Sequence, residues 1–472
     1  MTTQHHANST LQLTVIFFLM RVLESVAFAV LYSSLLLYMV SELKISNDTA
    51  IFVTGGFLAL NYGLPCLGGL ISGTLLNHRL SLCFGILLQA ISGLLFFAGP
   101  VYFYWALSFF LAGCITASMS LNMLITNCFQ EKMSREKIFL YSYSGMNVGY
   151  FAGYTLAGYF GIIHHYADVF LITAILSILA LLVTLVYWKK LAQGDTQHTH
   201  FILGTCLLII AIPIIRLLLL YAHTINLGVI VLWLLLFCGT VWVTVKKPNV
   251  ITRHNTLIFL LMVLMGTVFW SVYLMAPMGL MVFVQNNVAK DLFGFYIAPQ
   301  WLQNINTFLI VIGSPLLAYG FAILAKKGIQ ISIFAKFSLS LFMMGLGFII
   351  LPIGIHFANI SGMSNVWWII SSYIFQSIGE LFIGPIGWSI VGQLIEKKHQ
   401  SFMMGFWIMI LGVSGSIASF FSASLTRNST STSAITSNAH YSTMFLIFGI
   451  LPIIVSIVLF LSSKKWTFLA KY

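Results

Sequence analysis

What this chain lacks is charge. Only 7% of its 472 residues are Asp, Glu, Lys or Arg, where an average soluble domain carries about 25%. So few charges cannot cover a water-facing surface. A soluble globular fold is excluded, and the solvent of this chain is the lipid bilayer. Acids are scarcest, with 10 Asp and Glu against 22 Lys and Arg and a formal net charge of +12. That excess does not point to nucleic acid. No basic stripe with interleaved aromatics occurs, and the basic residues sit in short connections between apolar runs. The six cysteines (Cys66, Cys83, Cys114, Cys128, Cys206, Cys238) form no CxxC pair and no cluster with His. They read as small buried apolar residues, with no disulfide and no zinc. No HExxH or paired-Asp motif occurs, and the 12 histidines lie near run ends or in connections. A membrane-embedded enzyme would need nucleophile, base or metal groups converging at one depth, and the chain offers none. No cofactor is implied. Met1 to Thr14 is polar without a cleavable signal, and the first apolar run is too long for a signal h-region.

What is present is apolar length. The chain is 60% hydrophobic with a mean hydropathy of +0.99. A helix needs about 20 apolar residues to cross the hydrocarbon core. Runs occur at about 11–40, 49–76, 79–99, 101–128, 138–163, 166–188, 201–221, 225–245, 256–284, 300–324, 329–355, 366–393, 401–425 and 441–463. They predict an all-α integral membrane protein with 14 transmembrane helices and both termini on one side. With the N-terminus in the cytoplasm, 16 basic residues fall in inner connections, and only Lys44, Lys290 and Arg427 in outer ones. The asymmetry alternates through every connection, as the positive-inside rule requires. Arg21, Arg216 and Lys336 lie within runs.

The spans divide as six, two and six: a bundle over 11–188, linkers and an inserted hairpin over 189–255, and a bundle over 256–463. The outer stretch Thr426–His440 is Ser/Thr-rich and low in complexity, which predicts a mobile loop; its Asn428-Ser-Thr sequon carries no assigned role. Gly68 and Gly69 would let the second run approach a neighbour closely. Pro65, Pro315 and Pro385 would each interrupt a membrane helix, where freed carbonyls could line a cavity.

Only two carboxylates sit deep inside apolar runs, Glu24 and Glu380, one in each half. An ionisable group there costs about 2.5–3.5 kcal/mol on insertion scales, so such residues mark an ion or substrate path. They read as proton-coupling and cation-binding sites of a secondary transporter. The plainer alternative is one structural carboxylate per half, tied to a nearby donor. Arg21 and Glu24 are spaced i, i+3 and share a helix face. Either Glu24 cycles a proton under the control of Arg21, or the two form a permanent buried ion pair.

Five stretches together resemble one family. SSYIFQSIGELFIGPIGWSIVGQLIEKKHQSFMMGFW (371–407) is similar to the tenth and eleventh helices of the proton-dependent oligopeptide transporters of the major facilitator superfamily. NYGLPCLGG (61–69), YSGMNVG (143–149), FWSVY (269–273) and PQWLQNINTFLIVIGSPLLA (299–318) resemble other motifs of that family in order and spacing. The resemblance implies the major facilitator fold, two six-helix bundles, here with the inserted hairpin of the bacterial members. It implies a substrate site at the midplane between rocking bundles. It also implies that Glu380 holds a peptide amino group. Tyr62, Asn147 and Asn306 would match polar binding positions, and Trp270 and Trp407 would match aromatic walls. Without the resemblance, Glu380 could instead be a protonated acid bonded to a carbonyl, and each Trp or Tyr a packing or interfacial residue.

The departures from the pattern are ordered. In RVLESVAFAVLY (21–32) the family's first Glu becomes Arg21, its second is kept as Glu24, its Arg becomes Ser25 and a later Arg becomes Tyr32. The family's fourth-helix lysine falls on Ser118, its seventh-helix acid on Leu274, and an Asp of the second helix on Gly73. Tyr32 and Leu274 replace both members of a pair, so no charge is stranded. One cation has gone from 118 and another has appeared at 21.

The expected function is proton-driven uptake of di- or tripeptides across a bacterial-type inner membrane, by a monomer, with protons and a small peptide as partners. Glu24 leads proton coupling with Glu380, and substrate bridges Arg21 and Glu380. The rivals are a same-fold carrier of another amine-bearing solute or one without proton coupling, a transporter-like sensor, and a membrane enzyme.

Overall fold

The computed structural model describes residues 2–129, 132–192, 200–329, 331–427 and 433–469; the side chains of 2–10, 132–137, 385–389, 401 and 463–469 fall outside the description. In chain order the helices of the first part are α1 (Thr2–Ser41), α2 (Asn47–Gly63), α3 (Pro65–Ile71), α4 (His78–Ala98), α5 (Phe103–Cys128), α6 (Lys132–Ile162), α7 (Tyr166–Val186) and α8 (Phe201–Leu220). Then come α9 (Ala222–Val245), α10 (Val250–Tyr273), α11 (Gly279–Asn287), α12 (Gln303–Lys326), α13 (Ile333–His356), α14 (Val366–Leu394), α15 (Gln400–Thr426) and α16 (Ala434–Leu469).

Among the described residues, 13 helical segments are long and apolar enough to cross a membrane, and each coincides with an expected run. The fourteenth run, 138–163, is α6. It has 31 residues, but its tyrosines, serines and glycines lower its apolarity. That composition is a packing signature. A Cβ at Gly145 would lie 3.0 Å from the Phe18 carbonyl, one at Gly149 2.5 Å from the Val22 carbonyl, and one at Gly153 2.5 Å from the Ala29 methyl. Three glycines four residues apart thus let α6 lie backbone to backbone along α1. Membrane helices use small residues in this way, because lipid gives no hydrophobic force to hold them together.

Contacts divide the chain into two compact units, Met1–Leu43 with Leu60–Tyr221, and Lys44–Ala59 with Ala222–Tyr472. In the first unit α4 packs on α5 and α7, α1 on α6 and α7, and both α3 and α8 on α5. Its core gathers Phe17, Met20, Leu82, Ile86, Leu121 and Leu124. Gly68 meets the Ile115 carbonyl with no room for a side chain, whereas Gly69 faces open space, so only the first glycine serves close approach.

In the second unit α13 lies between α14 and α16, α10 packs on α15, α12 on α14 and α9 on α15. The first part of α2 belongs here. Gly55 meets Ser419 of α15, and the Phe52 ring packs against His223 and Phe420. Asn226 of α9 donates to the Phe52 carbonyl at 2.9 Å and accepts from Ser416 Oγ at 3.0 Å. The inserted hairpin is therefore anchored helix by helix, α8 on the first unit and α9 on the second.

The prolines correct one expectation. Pro65 does begin a new helix, but Pro315 lies inside an unbroken α12, and α14 runs through position 385. The break that sequence reasoning missed is Leu274–Met278, which holds Pro277 and separates α10 from α11. The cysteines correct another. Cys66, Cys206 and Cys238 are exposed rather than buried, which on membrane helices suits small apolar side chains. Helix α16 begins at Ala434, so part of the expected loop is helical; Asn428 lies outside the described residues.

Candidate functional site

The first unit builds its polar centre on one face of α1. Arg21 Nη1 donates to Glu24 Oε2 at 3.0 Å, and the two side chains are only 10% and 8% exposed. Arg21 Nε donates to Ser142 Oγ of α6 at 3.0 Å, and Nη2 donates to Asn122 Oδ1 of α5. The other carboxylate oxygen, Glu24 Oε1, accepts from Ser118 Oγ of α5. An ion pair this buried endures only when its spare lone pairs and protons are also satisfied. Helices α5 and α6 supply that with neutral groups. The glycine stripe explains the geometry, since even a Cβ at Gly145 would lie only 3.5 Å from Arg21 Cβ, and this close approach brings Ser142 within reach.

Position 118 meets the Arg21–Glu24 pair directly. Ser118 touches Glu24, and one turn along α5 Asn122 receives the guanidinium that reaches over from α1. Along the α1 face the pair gives way to rings. Phe28 lies 5.7 Å from Tyr32, 6.3 Å from Tyr62 and 5.9 Å from Tyr150. Tyr32 in turn lies 6.1 Å from Tyr154. Tyr32 and Tyr62 thus share one aromatic cluster with three residues that sequence reasoning did not select. Asn147 stands apart. Its amide donates to the Tyr143 carbonyl at 2.9 Å, one turn back on its own helix. No hydrogen bond among the described residues joins it to the Arg21 pair.

The second unit holds Glu380 differently. Asn306 Nδ2 of α12 donates to Glu380 Oε2 at 2.6 Å and to Ser377 Oγ at 3.1 Å. Tyr273, the last residue of α10, also hydrogen-bonds the carboxyl. Among the described residues no basic side chain pairs with it. Gly379 allows this placement, since a Cβ there would lie 2.9 Å from the Ser340 carbonyl of α13 and 3.1 Å from the Phe269 ring of α10. Trp270 joins the group through Tyr273, their rings 5.1 Å apart. Trp407 does not. It is buried on α15 against Phe337 and beside Gly266, as a packing residue of the core.

The remaining cations of the runs lie on rings. The Arg216 guanidinium sits 4.7 Å over Trp105, and the Lys336 ammonium 4.3 Å over Phe321. Both fit the snorkelling and cation–π roles of long basic side chains on membrane helices. Residues that sequence reasoning did not reach are Asn122, Ser142 and Tyr273; Ser118 enters it only through the absence of the family's lysine. The available signal was the i, i+4 spacing of Ser118 and Asn122, which puts two polar side chains on one face of an apolar helix. A group of three or more His, Cys, Asp or Glu able to hold a metal is absent among the described residues.

Comparison with known proteins adds an independent view. A sequence model described as the POT family matches residues 82–444. The chain is 27% identical over 443 residues to dipeptide and tripeptide permease A of Yersinia pestis, covering 91% of this chain and 87% of that one. It is 27% identical over 447 residues to the permease of the same name from Escherichia coli K12, again covering 91% and 87%. A crystal structure of the peptide transporter POT in complex with sulfate shares the fold, with a TM-score of 0.85 at 18% identity over 97% of this chain and 95% of that one.

Proposed function

This chain belongs to the POT family, and from that premise we propose that it is a proton-coupled symporter that imports di- and tripeptides by alternating access. It works in a cell inner membrane with both termini in the cytoplasm. It acts as a monomer of two six-helix bundles, 11–188 and 256–463, linked through 189–255, and leaves its substrate chemically unchanged.

The observation that carries this reading is the buried Arg21–Glu24 pair clamped by neutral groups. A proton on Glu24 removes the negative member of the pair. The guanidinium then carries a net positive charge at a depth where that is costly. A substrate carboxylate restores the balance, so proton and substrate each favour binding of the other. Glu380 needs the opposite partner. Its hydrogen bonds come from an amide and a phenol, which leave the ionised form without a counter-charge. A peptide ammonium supplies it. Tyr62 of the first unit, and Asn306 and Trp270 of the second, would add further substrate contacts; Asn147 and Trp407 are weaker members, for the reasons given by their contacts.

A second reading keeps the fold and changes the cargo. Among the described residues Arg21 is the one cation that reaches the polar centre of the first unit, with a serine at position 118 and a tyrosine at position 32. An amine-bearing solute without a carboxylate, or transport without protons, fits that thinner positive pole. Uptake of a radiolabelled dipeptide into proteoliposomes separates the readings. Symport predicts accumulation that needs an inward proton gradient and collapses with a protonophore. Uptake indifferent to the protonophore would rule symport out, and no dipeptide uptake at all would move the assignment to another solute.

A further inference from the structure

The Arg21 guanidinium has five N–H donors. Three are spent, one each on Ser142, Glu24 and Asn122, and the three partners come from α6, α1 and α5. Two donors, one on each terminal nitrogen, have no hydrogen bond among the described residues. Only one of the three partners, Glu24, bears charge. Because a guanidinium only donates, the group facing Nη2 must be the amide oxygen of Asn122, so its orientation follows from chemistry. An aspartate is nearly the same size and would accept the same hydrogen bond more strongly. It would also compensate the guanidinium a second time.

We propose that Asn122 is a specificity-determining residue acting through Arg21. As a neutral acceptor it satisfies one Nη2 donor without cancelling the guanidinium's charge, so the two remaining donors stay available to a carboxylate-bearing substrate. Ser118, on the same face of α5, treats the other member of the pair alike, with a hydroxyl on Glu24. Helix α5 thus grips both ends of the ion pair and adds no charge to either. The inference rests on Arg21 as the carboxylate-recognising group.

The test compares a dipeptide with its C-terminal amide as competitors of dipeptide uptake in proteoliposomes. Wild type should favour the free acid by about tenfold or more, the scale of one good charge-assisted contact. Asn122→Asp should bring that ratio close to one while leaving the amide's affinity unchanged. Asn122→Leu removes the acceptor without adding charge, and should keep most of the preference. Equal loss in both variants would reduce Asn122 to a structural role, and an unchanged ratio in Asn122→Asp would also overturn the proposal. Should Asn122→Asp fail to fold, the leucine variant decides: retained preference supports the proposal, and lost preference overturns it. If wild type itself does not distinguish acid from amide, the fault lies with Arg21 as the carboxylate site, and the proposal falls with that reading.

Discussion

Glu24 and Glu380 are both carboxylates inside membrane helices, yet among the described residues the first has a guanidinium three residues away and the second only an amide and a phenol. The ionised form of Glu24 is balanced before any substrate arrives. The ionised form of Glu380 has no such partner among the described residues, which is why we propose that it receives a cation from the substrate. On the proposed function, the same side chain is fitted to two tasks by its neighbours: exchange of a proton against an internal cation, and capture of an external one.

The sharpest way to break this comparison is to remove each partner in turn. Arg21→Ala strands a buried carboxylate and should cost about 3–5 kcal/mol of stability, read by thermal unfolding in detergent. Glu380→Gln keeps its hydrogen-bonding capacity and should change stability by about 1 kcal/mol or less. Equal costs would mean that the two acids are held alike. Next in size, Asn306→Ala removes a hydrogen bond to a charged group, worth about 1.5–3 kcal/mol. Its effect should appear as weaker affinity for peptides with a free amine, while N-acetylated peptides are unaffected. A uniform loss for both substrates would detach Asn306 from amine recognition.

Gly149→Leu sharpens the comparison from the packing side. It drives a side chain into the Val22 carbonyl and should cost about 1–3 kcal/mol, loosening Ser142 from Arg21 while leaving amine recognition in the second unit intact. The smallest effect lies outside the membrane segments. The Thr252 hydroxyl, at 2.6 Å, and Lys398 hold the Glu396 carboxyl below the usual carboxylate range. That contribution is present above the unfolded-state value and is lost as pH falls through the folded-state value. Glu396→Gln should remove this slight acid-side slope in stability and leave transport unaltered.

Much of this architecture was readable from the residues, and the exceptions share a cause. Apolar length is a property of one segment, so 13 spans matched their runs. Run 138–163 was placed, but its role was not. A stripe of glycines becomes informative only once α1 is known to lie against it. The break at Pro277 escaped because its neighbours, Leu274, Met275, Ala276 and Met278, are as apolar as a continuing helix. In the site, Arg21–Glu24 was legible because both lie on one helix; family motifs flagged Asn306 and Glu380 separately, but not the hydrogen bond between them. Asn122, Ser142 and Tyr273 were hidden because their contacts depend on the rotation of separate helices. Trp407 shows the converse, a matched position that the fold spends on packing.

The central claim is that Glu24 couples the proton while Glu380 recognises the amine. It is tested most directly by measuring counterflow and gradient-driven accumulation of one dipeptide in proteoliposomes of Glu24→Gln and Glu380→Gln. Glu24→Gln should keep exchange and lose accumulation, and Glu380→Gln should lose affinity for the free-amine substrate in both assays. Undiminished accumulation by both variants would contradict the assignment.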